Sequence, residues 1–114
     1  MRCGIYVLER LVFLEKVPSS VIKDAEKCCT RQGLMVRDLL ECLGDEWQGV
    51  KSDSPFLPVP YIAGMNLGRC HHYVLIEGYD EKWIWGCEEC RGAFKLPLPL
   101  FRFFWSRIAI CCRV

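Results

Sequence analysis

The sequence predicts an α+β domain in which helices come first and an antiparallel sheet follows. Three observations point there. Up to about residue 48 the apolar residues recur at helical spacing. From about residue 56 onward the chain turns into β-branched and aromatic runs, separated by short turn signals. The 114 residues suit one core, so residues 1–114 are read as a single domain, with the polar stretch Lys51-Ser52-Asp53-Ser54-Pro55 as a crossing loop inside it.

The first helix runs from Gly4 to Lys16, where Ile5, Leu8, Leu11, Val12 and Phe13 form one broad stripe with Glu9 and Arg10 beside it. Pro18-Ser19-Ser20 stops it and caps the next helix, whose face is Val21, Ile22, Ala25, Cys28 and Cys29. Leu34, Val36, Leu39, Leu40 and Leu43 make a third helix that ends at Gly44, which suits a left-handed cap. In the second half, Pro58 to Ile62 reads as a short edge strand, because prolines are tolerated at edges. His72 to Gly78 and Lys82 to Gly86 read as a hairpin around Tyr79-Asp80-Glu81. Gly92 to Leu96 is a further strand, Pro99 to Trp105 a short helix opened by proline, and Arg107 to Cys112 the last strand.

Composition excludes several classes of function. The chain is 52% hydrophobic with six Phe, four Trp and four Tyr, too apolar for a disordered tail. A net charge of +1 supplies no field to attract nucleic acid or anionic membrane, and Trp83, Trp85 and Arg102 do not form a clustered basic patch. No apolar run approaches the length of a membrane span. The nine cysteines resemble a disulfide scaffold, but their number is odd, two pairs are adjacent (Cys28-Cys29 and Cys111-Cys112), and no signal peptide precedes them. They predict a reduced, cytoplasmic protein in which Cys28, Cys29, Cys42, Cys111 and Cys112 are packing residues.

The chemistry concentrates at the base of the predicted hairpin. If its paired residue numbers sum to about 161, then Cys70, His71 and His72 lie beside Cys87, Glu88 and Glu89. A carboxylate beside an imidazole holds one tautomer and makes it a better base. Cys3 stands at the start of the first helix, where unpaired N–H groups and the helix dipole favour a thiolate. The same corner supports a second reading, a tetrahedral zinc site built from Cys87 and Cys90 of a C-x2-C with Cys70 and His72. In that case His72 is a ligand and the protein a binding module.

Five segments in order resemble the papain-like, bacteriocin-processing cysteine peptidases that cut after a double-glycine leader. Cys3-Gly4 opens an apolar helix, Gly33-Leu34 with Asp38-Leu39-Leu40 follows, Leu57-Pro58 precedes a strand, and His72-Tyr73-Val74-Leu75-Ile76 matches the family's His-aromatic-Val strand. Glu88 falls sixteen residues after His72, where the family has the Asp of an Asn-Asp-Pro turn. Phe101 to Ile110 is similar to the family's closing Phe-x3-Trp-x-Gly-x-Ala-Ile. The resemblance implies a papain-like fold, a peptide or protein substrate and no cofactor. It also implies a triad of Cys3 as nucleophile, His72 as base and then acid, and Glu88 as the orienting carboxylate. The family's oxyanion-hole Gln lies several residues before the nucleophile. Here only two residues precede Cys3, and Gln32 and Gln48 both lie after it, so that donor is missing or replaced. Loss of one such donor costs about a hundred- to a thousandfold in rate. The resemblance leaves an inactive, peptidase-fold interaction protein as the alternative function.

Overall fold

The computed structural model describes residues 2–30, 33–67 and 72–113. Three helices come first: α1 (Cys3–Phe13), α2 (Ser20–Cys28) and α3 (Val36–Leu43). Six strands and one helix follow: β1 (Trp47–Lys51), β2 (Tyr61–Met65), β3 (His72–Tyr79), β4 (Trp83–Glu88), β5 (Gly92–Pro97), α4 (Leu98–Phe104) and β6 (Trp105–Cys112). The strands form one antiparallel sheet in the order β1-β6-β2-β3-β4-β5.

This sheet is covered on both faces, and strand alternation sorts its side chains between them. Ile62, Tyr73, Leu75 and Ile110 point to one face, where they pack with Leu8 and Leu11 of α1, Val21 and Ala25 of α2, and Leu39 of α3. Tyr61, Ala63, Val74, Ile76 and Ala109 point to the other, where Leu98 and Phe101 of α4 cover them together with Trp105. Each fully buried aliphatic side chain contributes about 1.5 to 3 kcal/mol, so both faces are needed to stabilise a chain of this size. Three tyrosine hydroxyls tie loops to these layers: Tyr61 donates to the carbonyl of Pro55 at 2.8 Å, Tyr73 to Leu34 at 2.7 Å and Tyr79 to Leu57 at 2.8 Å.

The helices begin and end close to where periodicity predicts, and Gly44 closes α3 with a φ of 86°. The sheet differs more. Residues 47–51, which lead from the helical half into the polar stretch read as a crossing loop, form β1 against β6, because Trp47 has a buried place at the margin of the helical core. The predicted edge strand at Pro58 begins instead at Tyr61 and lies inside the sheet between β6 and β3. Its prolines precede the ladder, so they deprive it of no hydrogen bond. In the β3–β4 hairpin a bulge between Ile76 and Gly78 changes the register, and Leu75 faces Cys87 while Gly78 faces Trp85. Cys111 is buried as predicted, but Cys28 and Cys112 are exposed and Cys29 and Cys42 only half-buried, so burial of a strand or helix face does not extend to all five.

A second irregularity marks the start of β6. Met65 faces Trp105 and Ala63 faces Ala109, so β6 carries extra residues between them. The Ser106 hydroxyl donates to the Gly64 carbonyl at 2.6 Å and accepts from the Ile108 amide at 3.3 Å, and the Trp105 indole N–H donates to the Ile108 carbonyl at 3.1 Å. Arg107, in the middle, has a φ of 70°, a left-handed conformation that favours glycine. It occupies the position of Gly in the Trp-x-Gly motif noted above, and an ion pair with Asp53 holds its side chain. Arg107→Val is expected to be less stable in urea unfolding than Arg107→Gly, by about 1 to 2 kcal/mol, because a β-branched side chain tolerates this φ worst; equal stabilities would contradict the assigned bulge.

Candidate active site

Cys3 is the first residue of α1, and the packing beneath it explains why it is fixed. At Gly4 a side chain would press on Leu34, 3.0 Å from an ideal Cβ, so only glycine lets the Gly33–Met35 segment close over the first turn. Farther along α1, both guanidinium nitrogens of Arg10 donate to the Glu77 carboxylate on β3, at 3.1 Å each. Burial is the largest single influence and would raise the Glu77 pKa, but the hydrogen bonds from Arg10 and Cys87 and the Arg10 charge together outweigh it and the net shift is downward. The helix is thus fixed at two points, to the Gly33–Met35 segment at its first turn and to β3 through Arg10.

The thiol at that point is buried and neutral. Burial is the largest influence on Cys3 and raises its pKa; the Tyr73 amide favours the thiolate, and the negative charge of Glu89 opposes it. The expectation that a helix N-terminus makes Cys3 a thiolate therefore does not describe this state, since burial outweighs the backbone N–H groups of Tyr73, Gly4 and Cys3 that favour the charged form.

His72 and Glu88 come together as the hairpin predicts, with His72 Nε2 3.5 Å from Glu88 Oε2. Both side chains are largely buried, at 9% and 15% exposure, and Arg91 approaches the outer Glu88 oxygen at 3.9 Å. The distance to Glu88 is longer than a charge-assisted hydrogen bond, and among the described residues Nε2 has no hydrogen-bond partner. His72 faces Met65 across the ladder, and together with Glu88 it lines a cavity under α4. Tyr73, the next residue, turns to the α1 face, where its amide meets Cys3. The structure therefore pairs two of the three predicted residues and sets the third against the adjoining peptide unit, on the opposite face of the sheet. Period-two alternation from His72 would have identified Tyr73 and Glu89 as the neighbours of Cys3, and motif matching did not use it.

The residues of the zinc reading divide between the faces. Cys87 lies on the α1 face near Tyr6, Glu77 and Arg10, and its pKa is raised first by burial and then by a hydrogen bond to Glu77. Cys90 lines the cavity under α4. Cys70 and His71 lie outside the described residues. Among the described residues no three His, Cys, Asp or Glu side chains are grouped to hold a metal ion. No described helix is long and apolar enough to cross a membrane.

No protein-family profile and no curated protein matches the chain. Solved structures do. A double-glycine motif protease from an AMS/PCAT transporter, in complex with its leader peptide, has a TM-score of 0.75 and 23% identity over 95% of this chain and 81% of the other. The peptidase domain of Streptococcus ComA, a bifunctional ABC transporter of a quorum-sensing pathway, has a TM-score of 0.79 and 21% identity over 96% of this chain and 88% of the other. The Streptococcus mutans ComA peptidase domain has a TM-score of 0.70 and 19% identity, covering 99% and 92%. The fold is the papain-like fold of these double-glycine peptidase domains.

Thiol accessibility offers a direct check. At pH 7 iodoacetamide is expected to alkylate the exposed Cys28, Cys90 and Cys112 before Cys3 in the unliganded protein. The Cys3 rate should rise as pH passes 9 and approach that of the others in guanidinium chloride, as read by peptide mapping. Alkylation of Cys3 first at pH 7 would contradict a buried, neutral thiol.

Proposed function

We propose that this chain is a thiol peptidase acting on a peptide or protein, with Cys3 as nucleophile, His72 as proton carrier and Glu88 as the group that orients His72. The observation that carries this reading is the buried His72–Glu88 pair, directly followed in the chain by the Tyr73 amide that meets the Cys3 thiol. The thiol and the imidazole are attached at neighbouring points of one corner. The reading requires the His72 ring to leave the cavity and approach sulfur when substrate binds, as unliganded catalytic hydrogen bonds are often formed only then. The fold supports a peptide substrate, since one of the similar structures holds a leader peptide.

In this mechanism His72 takes the Cys3 proton, and the thiolate attacks the scissile carbonyl to give a tetrahedral oxyanion. Collapse breaks the C–N bond while His72-H⁺ gives its proton to the departing amine. Water, deprotonated by the same imidazole, then cleaves the thioester and releases the carboxylic acid, and the proton returns to sulfur. Glu88, 3.5 Å from His72 Nε2 at rest, orients the imidazole and favours its protonated form while the two are in contact. The odd number of cysteines and the two adjacent pairs support a reducing, cytoplasmic setting, which also preserves the nucleophile.

A specific observation favours a second reading, a peptidase fold that binds peptides without cutting them: Cys3 is held neutral while His72 and Glu88 face away from it. The two are separated by incubating the protein with a mixture of casein-derived peptides and reading new termini by mass spectrometry. Wild type is expected to generate cleavage products, and Cys3→Ala and His72→Ala to reduce them by about a thousandfold or more with unchanged circular dichroism. Cleavage that persists in Cys3→Ala eliminates the peptidase mechanism, and an inert wild type selects the binding reading.

A further inference from the structure

β3 and β4 pair Leu75 with Cys87, and the same ladder continued two residues along each strand sets Glu89 opposite Tyr73. Opposed residues share a face, so Glu89 stands on the α1 side, beside the Tyr73 amide that meets Cys3, and its charge reaches the Cys3 sulfur. Cys3 has no solvent exposure whereas Glu89 is exposed, and an arriving peptide meets the carboxylate before the thiol. The other charged groups of this corner are engaged. Arg2, just before Cys3, pairs with Glu26 of α2 at 3.4 Å, and Arg91, in the same turn as Glu89, approaches Glu88 at 3.9 Å. Asp38 of α3, which acts on the Tyr73 phenol, accepts from the Met35 amide at 3.0 Å, and burial pushes the Tyr73 pKa up. Among the described residues Glu89 has no ion-pair partner. In the Asn-Asp-Pro turn noted above a proline follows the carboxylate, and here Glu89 takes that place.

A carboxylate beside a thiol opposes formation of the nucleophile until a cation comes to it. The scissile carbonyl has to come within about 3 to 3.5 Å of sulfur to react, so a group lodged beside Cys3 lies alongside the residues that flank the cut bond. We propose that Glu89 is a specificity-determining residue, the contact for a Lys or Arg side chain that the peptide carries close to the bond that is cut. The proposal rests on Cys3 as the nucleophile of the peptidase reading above and names its substrate class, a basic peptide. It accommodates glycine at the cut bond itself, since a neighbouring residue supplies the cation. The bound ammonium or guanidinium satisfies an exposed carboxylate and removes the charge that opposes the thiolate, so recognition and activation use one contact.

The test uses Cys3→Ala protein, which cannot turn over, and fluorescein-labelled blocked peptides Ala-X-Gly-Gly-X-Ala with X as Lys, Gln or Asp. At low ionic strength fluorescence anisotropy is expected to show the Lys peptide binding about three- to fivefold more tightly than the Gln peptide and the Asp peptide more weakly than either, with the spread narrowing as salt is added. Adding Glu89→Gln should remove the order and adding Glu89→Lys should reverse it, whereas a structural role for Glu89 would lower all three affinities together. With Cys3 intact, Glu89→Gln should raise the rate of Cys3 alkylation by iodoacetamide at pH 8 about two- to fivefold with unchanged circular dichroism. Equal or undetectable affinities for the three peptides, an order that survives Glu89→Lys, or a Cys3 rate that Glu89→Gln leaves unchanged overturns the proposal. Failure of the peptidase reading looks different: the reversible charge preference is present and wild type releases no product from the Lys peptide.

Discussion

The alternation of side chains along a sheet that is buried on both faces is the constraint on which the rest of this molecule depends. With α1 to α3 on one side and α4 on the other, every strand residue near the centre is assigned to one of two separate cores. A residue and its successor on β3 consequently live in different environments. Tyr73 reaches the carbonyl of Leu34 through the helical layer, while His72 enters the cavity under α4. Every chemically interesting side chain in the corner inherits its surroundings from this rule.

The placement of α1 follows from the same constraint. A helix that covers a sheet face can slide along it, and here two features prevent that. Gly4 admits Leu34 at van der Waals distance, and the Arg10–Glu77 pair adds a bidentate link whose geometry is lost with either partner. Fixing the helix also buries its first residue, and burial raises the Cys3 pKa more than the nearby backbone N–H groups lower it. A buried thiol whose pKa is raised reacts slowly with alkylating agents and oxidants.

Much of this was legible in the residues. The helical stripes of the first half, the hairpin around Asp80, the helix opened by Pro99 and the approach of His72 to Glu88 all follow from local periodicity and turn chemistry, which act over a few residues. The ordered motifs also point to the papain-like fold. β1 was not legible, since Trp47 to Lys51 carries no strand pattern strong enough to compete with its polar setting and becomes a strand by pairing with β6, some sixty residues away. The interior position of β2 likewise depends on partners on either side. Cys28 and Cys112 illustrate the reverse error, in which a residue on an apolar stripe meets no second layer and stays exposed.

The sequence by itself determined the helices, most of the strands and their order, because these depend on local backbone preference. Only the tertiary structure decided which face each reactive side chain occupies, since one bulge or one residue of register exchanges the two sides of a strand. That is why Cys3 meets the Tyr73 amide, why His72 and Glu88 share an apolar cavity, and why Cys87 and Cys90 lie apart.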